Sequence, residues 1–315
     1  MRRTSVVIPA RNEGARIGLL VAAVLAQRPA AEELEVLVVD DGSTDDTGAA
    51  AAAAGARVLA IPRQPSGGNP AAARNQGAAA ATGDLLVFLD ADCFPGDGWL
   101  RTLLAGHDAG EVVVGGAFDA APGLPASARC DYYTGWYHVH SRRPAGVVPN
   151  HPPGNLSVRR ELFLSTVGFT EAQPVAYAHE ELAWQAELRR AGHRIAFAPA
   201  AVVYHRNRPG VANLLRRNYR WAYSAIGSKA EAGAARLRWV YRFPRLLAVA
   251  AVPIALLQTA YILLCWARAG VFEPLLMLPW MLAAGVAYGA GMASGGVRWL
   301  RSRAHPAPVY RPRWE

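Results

Sequence analysis

The chain is almost without lysine. Lys229 stands alone, so nearly all the positive charge behind a formal net charge of +9 is arginine. Arginine suits phosphate oxygens and membrane interfaces. Cysteine is scarce as well: Cys93, Cys130 and Cys265 are isolated and odd in number. That excludes a disulfide framework and a cysteine-rich zinc site, and points to a reducing compartment. Gly-x-Gly-x-x-Gly and Walker loops are absent, which argues against dinucleotide cofactors and P-loop chemistry. Without helix-turn-helix, zinc-finger or aromatic RNA-binding signatures, nucleic acid is not an expected partner. Met1-Arg2-Arg3 runs straight into a strand with no apolar signal core behind it, so the part of the chain before its late apolar runs is expected in the cytosol.

What is present is organised around one stretch. Leu85-Leu86-Val87-Phe88-Leu89 follows Gly83-Asp84 and reads as a fully buried parallel strand. It runs into Asp90-Ala91-Asp92, at the strand end where ligands of open α/β sheets collect. Such a pair suits a hard cation that keeps some waters and carries phosphate oxygens. Taken alone, it reads equally well as an acidic turn before a helix from Asp97. Around it, strands are predicted over Thr4–Ala10, Leu34–Val39 and Val58–Ile61, and helices over Ala15–Gln27 and Ala71–Ala81. Ser43 or Thr44 is the expected N-cap of a further helix through Ala54. This alternation predicts a right-handed, parallel, three-layer α/β domain. Asp40 and Asp41 end one strand as Asp90 and Asp92 end another, so both sets can face one cleft. A cleft so rich in carboxylates repels a bare diphosphate, and a divalent ion is needed to make it work.

Four stretches then fall in a telling order: Ser5-Val6-Val7-Ile8-Pro9-Ala10-Arg11-Asn12-Glu13, Val38-Val39-Asp40-Asp41-Gly42-Ser43-Thr44-Asp45, Ala73-Arg74-Asn75 and Phe88-Leu89-Asp90-Ala91-Asp92. Their order and spacing resemble those of family 2 glycosyltransferases, over about residues 4–225. The resemblance implies an inverting enzyme of the GT-A fold, a Rossmann-like α/β/α nucleotide-diphospho-sugar transferase, with Mn²⁺ or Mg²⁺ as cofactor. It implies that Pro9, Arg11, Glu13 and Asp41 line the nucleotide pocket, Asp41 near the base. Asp90 would lie near ribose and metal, and Asp92 would ligate the metal. Arg74 falls near the diphosphate, a solvated helix face being the alternative.

The catalytic domain is expected over residues 1–210, with a donor half at 1–118 and an acceptor half at 119–210. Asp131 to His138 is rich in Tyr and Trp and resembles the family's variable acceptor region; packing is favoured there over stacking on sugars. Asn150 to Arg160 is similar to the family's stretch between donor and acceptor sites. His179-Glu180-Glu181 opens a helix to Ala191 where family members usually carry Glu-Asp. By that resemblance Glu181 is the general base and Glu180 its neighbour; without it, the pair reads as helix-end charge. His205, after the strand Val202–Tyr204, resembles the third metal ligand of some GT-A enzymes, against a packed or diphosphate-binding histidine. Arg217-Asn218-Tyr219-Arg220-Trp221 looks like a degenerate Gln-x-x-Arg-Trp motif.

Residues 211–245 mix arginine with aromatics and suit an amphipathic interface segment. Leu246–Ala267 and Pro274–Gly296 carry no charge, and each is long enough for a hydrocarbon core of roughly 30 Å. They predict a transmembrane hairpin over 246–296 followed by a basic tail, 297–315. Arg236, Arg238, Arg242 and Arg245 precede it and Arg298, Arg301 and Arg303 follow, which predicts a multi-pass protein of the cytoplasmic membrane with the catalytic domain in the cytoplasm. The expected reaction transfers a sugar from a UDP- or GDP-sugar to a hydroxyl of a lipid-linked or envelope glycan acceptor. The alternatives are a polyprenyl-phosphate glycosyltransferase, a nucleotidyltransferase and a non-catalytic membrane scaffold.

Overall fold

The computed structural model describes residues 2–29, 32–62, 68–171, 179–232 and 244–304. Arg236, Arg238 and Arg242 and the tail beyond 304 lie outside them. The first half is as parallel as its sequence predicts. β1 (Arg2–Ala10), β2 (Glu32–Asp41), β3 (Arg57–Ile61) and β4 (Leu85–Leu89) pair in the order β3-β2-β1-β4, all parallel. The helices α1 (Gly14–Leu25), α2 (Thr47–Ala53) and α3 (Pro70–Ala80) connect them. Val7, Ile8, Leu37, Val38 and the whole of β4 are buried, as strands covered on both faces must be. Asn69 caps α3 by accepting from the Ala72 amide at 3.0 Å, and Pro70 opens it. Gly77 lets this helix press on the sheet, where a Cβ would stand 2.4 Å from a Val7 methyl.

Beyond β4 the parallel expectation fails. β5 (Cys93–Pro95), β6 (Val113–Ala120), β7 (Gly146–Val148), β8 (Asn155–Arg159) and β9 (Ile195–His205) complete a mixed nine-stranded sheet. β8 runs antiparallel to both β4 and β6, and β6 is parallel to β9. Pro199 lies inside β9, where the pairing with β6 jumps from Ala198 to Val202. A residue without an amide proton fits only at such an irregularity. The remaining helices of this half are α4 (Trp99–Asp108), α5 (Ala126–Gly135), α6 (Arg160–Leu164) and α7 (Leu182–Arg190). Phe88, Phe163, Phe169 and Trp184 form an aromatic knot beside β4, with centroids 5.1–5.4 Å apart.

Burial holds the imidazoles of His140 and His151 down to about 4. The unfolded chain therefore binds more protons than the folded one between about pH 4 and 6.5, and stability falls as pH drops through that window. The fully buried His151 alone is worth on the order of 3 kcal/mol by this linkage. Urea midpoints measured from pH 7 to 4 should decline steadily; a flat profile would show that neither histidine is buried neutral.

The C-terminal third departs from the predicted transmembrane hairpin. α8 (Val211–Ala232), α9 (Pro244–Arg268), the short α10 (Glu273–Leu276) and α11 (Leu278–Ala304) pack together. On α11, Gly291 and Gly295 sit against the carbonyls of Tyr219 and Tyr223 on α8, while Gly285 and Gly289 meet Thr259 and Val252 on α9. The small residues do give close contact, but against two helices at once. The tip of the pair is fastened to the catalytic half. Trp266 Nε1 donates to the Tyr133 carbonyl at 2.9 Å, Tyr133 donates to Glu273 at 2.6 Å, and Arg129 pairs with Glu273 at 2.6 Å. Ile262, Trp266, Met277 and Met281 join the main core. Among the described residues one helix, Val249–Arg268, is long and apolar enough to cross a membrane, with mean hydropathy 1.9. The second run does not meet that test, and glycine is the reason: it closes the helix contacts while lowering the hydropathy. Of the two helices of the transmembrane hairpin expected over 246–296, one meets that length and hydropathy among the described residues.

Candidate active site

The carboxyl ends of β1, β2 and β4 come together in register, Ala10 beside Asp40 and Val7 beside Phe88. Two turns above them are stitched to each other. Asn12, at φ 54°, donates its amide to Ser43 Oγ at 3.0 Å and accepts from the Thr44 amide at 2.9 Å. Glu13 donates its amide to Thr47 Oγ1 at 2.8 Å. Ser43 and Thr44 thus tie loop to loop instead of capping α2, whose first-turn amide at Thr47 is taken by Asp45 at 3.1 Å. The side-chain oxygens of short polar residues compete for backbone donors in this way.

Asp41 is buried beside Arg11, and its Oδ2 accepts the Asn69 amide. A Cβ on Gly68 would stand 2.7 Å from that oxygen and 2.9 Å from Arg11 Nη1, so glycine is needed there. Burial raises the Asp41 pKa, against the Asn69 hydrogen bond and the Arg11 charge. Its other oxygen, Oδ1, is buried without a hydrogen-bond partner among the described residues. A buried acceptor left open is costly unless a ligand completes it. Pro9 pairs with Val39 at the end of β1 and stays partly exposed. The Glu13 carboxyl is raised first by burial and then by the nearby charge of Asp92, and it pairs with Arg16 at 3.0 Å.

A second system centres on Arg74. Its guanidinium is buried over the Phe169 ring, 6.0 Å from the centroid, and binds Glu180 Oε1 at 2.7 Å and Asp90 Oδ1. The two carboxylates hold Arg74 firmly cationic, raising its pKa despite its burial. Burial pushes the Glu180 carboxyl up while Arg74 pulls it down. Asp90 fits because residue 154 is glycine, where a Cβ would meet Asp90 Oδ2 at 2.2 Å. The sequence placed Arg74 near a diphosphate; the structure shows it committed to two acids on its own chain, since a buried cation demands partners. Glu181 follows, buried, at the N-terminal end of α7.

The third system holds Asp92 and His205. Asp92 is exposed, and His205 Nε2 stands 3.6 Å from its Oδ2. On its far side, His205 Nδ1 lies 2.8 Å from Asn207 Oδ1. The Asn207 amide nitrogen donates to Asp131 Oδ2 at 2.6 Å, and Arg217 donates to Asp131 Oδ1 at 2.8 Å. With its nitrogen so committed, Asn207 turns its oxygen to His205 and accepts the Nδ1 proton. The Nε2 lone pair then faces Asp92. A lone pair and a carboxylate side by side fit one cation, whose ligand atoms at about 2.1 Å each stand roughly 3–4 Å apart. Cys93 Sγ completes the cluster 3.8 Å from Asp92 Oδ1. Burial and the two neighbouring acids push its thiol well up, so it stays neutral and soft, a poor ligand for a hard ion. Sequence reasoning missed Asp131, Asn207 and Arg217. Only the degenerate motif around Arg217 hinted at one of them.

Trp136, Tyr132 and Tyr133 are buried. Trp136 stacks on Phe118 with centroids 4.3 Å apart and leans on His205 at 4.7 Å. The aromatic run packs, as its composition favoured, and part of it walls the histidine.

A mixed α/β sheet with acids at the carboxyl ends of its parallel strands is that of a GT-A glycosyltransferase. The chain belongs to glycosyl transferase family 2, whose sequence profile matches residues 5–165. It is 30% identical to a pre-mycofactocin glycosyltransferase of Mycobacterium tuberculosis over 234 residues, 71% of this chain and 47% of that protein. The chain thus spans about half the length of the curated relatives it matches. Two solved structures share the fold. A Pyrobaculum calidifontis mannosyltransferase, in complex with GDP-mannose and Mn²⁺, is 21% identical with a TM-score of 0.61, over 95% of this chain and 87% of that one. Glucosyl-3-phosphoglycerate synthase of Mycobacterium tuberculosis, with Mn²⁺, UDP and its product, is 24% identical with a TM-score of 0.50, over 75% of this chain and 82% of that one.

Proposed function

We propose that the catalytic unit, residues 1–210, moves a sugar with inversion from a UDP- or GDP-sugar to a hydroxyl of a lipid-linked or envelope glycan acceptor, and needs a divalent metal to do so. The observation that carries the metal is the pairing of Asp92 with a histidine whose other nitrogen is already spoken for by Asn207. Metal-binding histidines are typically oriented by such an outer hydrogen bond. Mn²⁺ accompanies nucleotide ligands in the two solved structures described above.

The roles follow from the three systems. Asp41 Oδ1, lacking a partner, accepts an N–H from the nucleotide base, with Arg11, Pro9 and Glu13 beside it. Asp92, His205 and Asp90 would hold the Mn²⁺ or Mg²⁺, which would supply positive charge to neutralise the donor diphosphate. Arg74 fixes Asp90 and Glu180 in place. Glu181 takes the proton from the acceptor hydroxyl as its oxygen bonds to the anomeric carbon, while the bond to the diphosphate breaks on the opposite face. The apolar C-terminal helices hold the enzyme at a membrane, which favours an acceptor carried on lipid.

A panel of UDP- and GDP-sugars, assayed with Mn²⁺ or Mg²⁺ for nucleoside diphosphate release, tests the reading. One donor should turn over, and EDTA should stop it. Pyrophosphate release would reassign the chain as a nucleotidyltransferase. Failure of every donor, with no nucleotide binding by calorimetry, would retire the catalytic reading.

A further inference from the structure

We infer that the α9–α11 pair is a docking surface for an anionic bilayer, with its tip on the same side of the membrane as the catalytic domain. This rests on the membrane reading above and deepens it.

The helix α9 is apolar all round, yet only one flank finds protein. Ala251, Ala255, Ile262 and Trp266 are buried against α11 and the catalytic half, while Val249 is 84% and Leu257 73% exposed on the other flank. Leu276 on α10 (87% exposed) and Leu282 on α11 extend that face past the tip. A soluble surface rarely leaves so much aliphatic area uncovered. The stripe offers a second protein no polar groups to register against, which suits hydrocarbon. Arg268 and Arg301 stand exposed toward opposite ends of the pair, and the chain as a whole carries +9 almost entirely as arginine. Those charges complement anionic headgroups.

The sidedness comes from the tip. A hairpin that spanned the bilayer would carry its tip across a core of roughly 30 Å, away from the catalytic domain. Here Trp266 donates to the Tyr133 carbonyl and Glu273 is held by both Tyr133 and Arg129, all on or beside α5. His140 stacks on Trp266 at 4.3 Å and closes the joint. The pair cannot be fastened at both ends of a membrane and at α5 together. The tip therefore stays on the catalytic side, with one flank of the pair in acyl chains and the other against protein.

The test uses the full-length chain in a Cys265→Ala background, the other two cysteines being buried. Arg268→Cys reports the tip and Ala52→Cys, exposed on α2, reports the catalytic domain. An impermeant maleimide is applied to spheroplasts and to inverted vesicles. Both sites should label from the same side. Labelling from opposite sides overturns the inference and restores a hairpin whose tip crosses the bilayer. Flotation with phosphatidylglycerol–phosphatidylcholine vesicles is the companion measurement. The purified chain should float, and Leu257→Asp should cut the bound fraction about tenfold at unchanged circular dichroism. If the parent chain stays at the bottom of the gradient, the membrane reading itself falls, whichever way the labels point.

Discussion

Glu181→Gln is expected to lower kcat by roughly 10²–10⁴-fold, the usual worth of a positioned proton acceptor. The substitution keeps the shape of the side chain and removes its basicity, so KM for the donor should stay near the parent value. The acid limb of the pH–kcat profile, set by protonation of the base, should flatten in the variant. The neighbouring Glu180→Gln makes the control, and its effect is of another kind. Glu180 is buried and bound to Arg74 at 2.7 Å. Removing one partner of a buried ion pair typically costs about 3–5 kcal/mol of stability, so this variant should show a lowered Tm before any catalytic defect is read. A Glu181→Gln enzyme with parental kcat, or a Glu180→Gln enzyme that keeps its Tm and loses kcat, would exchange the two assignments.

The donor half was legible because local signals and the fold agree there. β-branched runs, a proline that opens α3 and acids at strand ends all say the same thing, and β1 to β4 with α1 to α3 fall within a few residues of expectation. β8 was not legible as a strand. Asn155-Leu156-Ser157-Val158-Arg159 has little strand character, and it is held by partners far away: Asn155 bonds the carbonyls of Ala117 and Ala201 at 2.9 Å each. Arg74 was legible as a charge but not in its partners. A lone arginine on a helix reads as a hand held out to phosphate, and only the packing of Glu180, a hundred residues on, shows where it is spent. The C-terminal pair misled through composition. Uncharged length counts toward a membrane span, but Trp266 and Glu273 carry the contacts that fix the tip, and neither announces its partner in sequence.

Asp92→Ala and His205→Ala should each weaken Mn²⁺ binding, and Asn207→Ala should weaken it by roughly 10–100-fold although Asn207 touches no metal, the usual cost of an outer hydrogen bond to a ligand. The reason lies in the proton count. In the parent chain Asn207 takes the Nδ1 proton of His205, which leaves Nε2 unprotonated toward Asp92. Without it, the neutral ring is free to carry its proton on Nε2, the tautomer that binds no cation. Asp131 and Arg217 act one step further out, since they hold the amide of Asn207 the right way round. Arg217→Met should therefore show a smaller loss in the same direction together with a lowered Tm, since it leaves the buried Asp131 without its cation, and Asp131→Asn should sit between the two in Mn²⁺ affinity. Paramagnetic resonance of free Mn²⁺, titrated in the presence of UDP, reads the affinity without requiring turnover. An Asn207→Ala chain that binds Mn²⁺ as the parent does would mean that His205 only packs against Trp136, and that Asp92 holds its ion with water and phosphate alone.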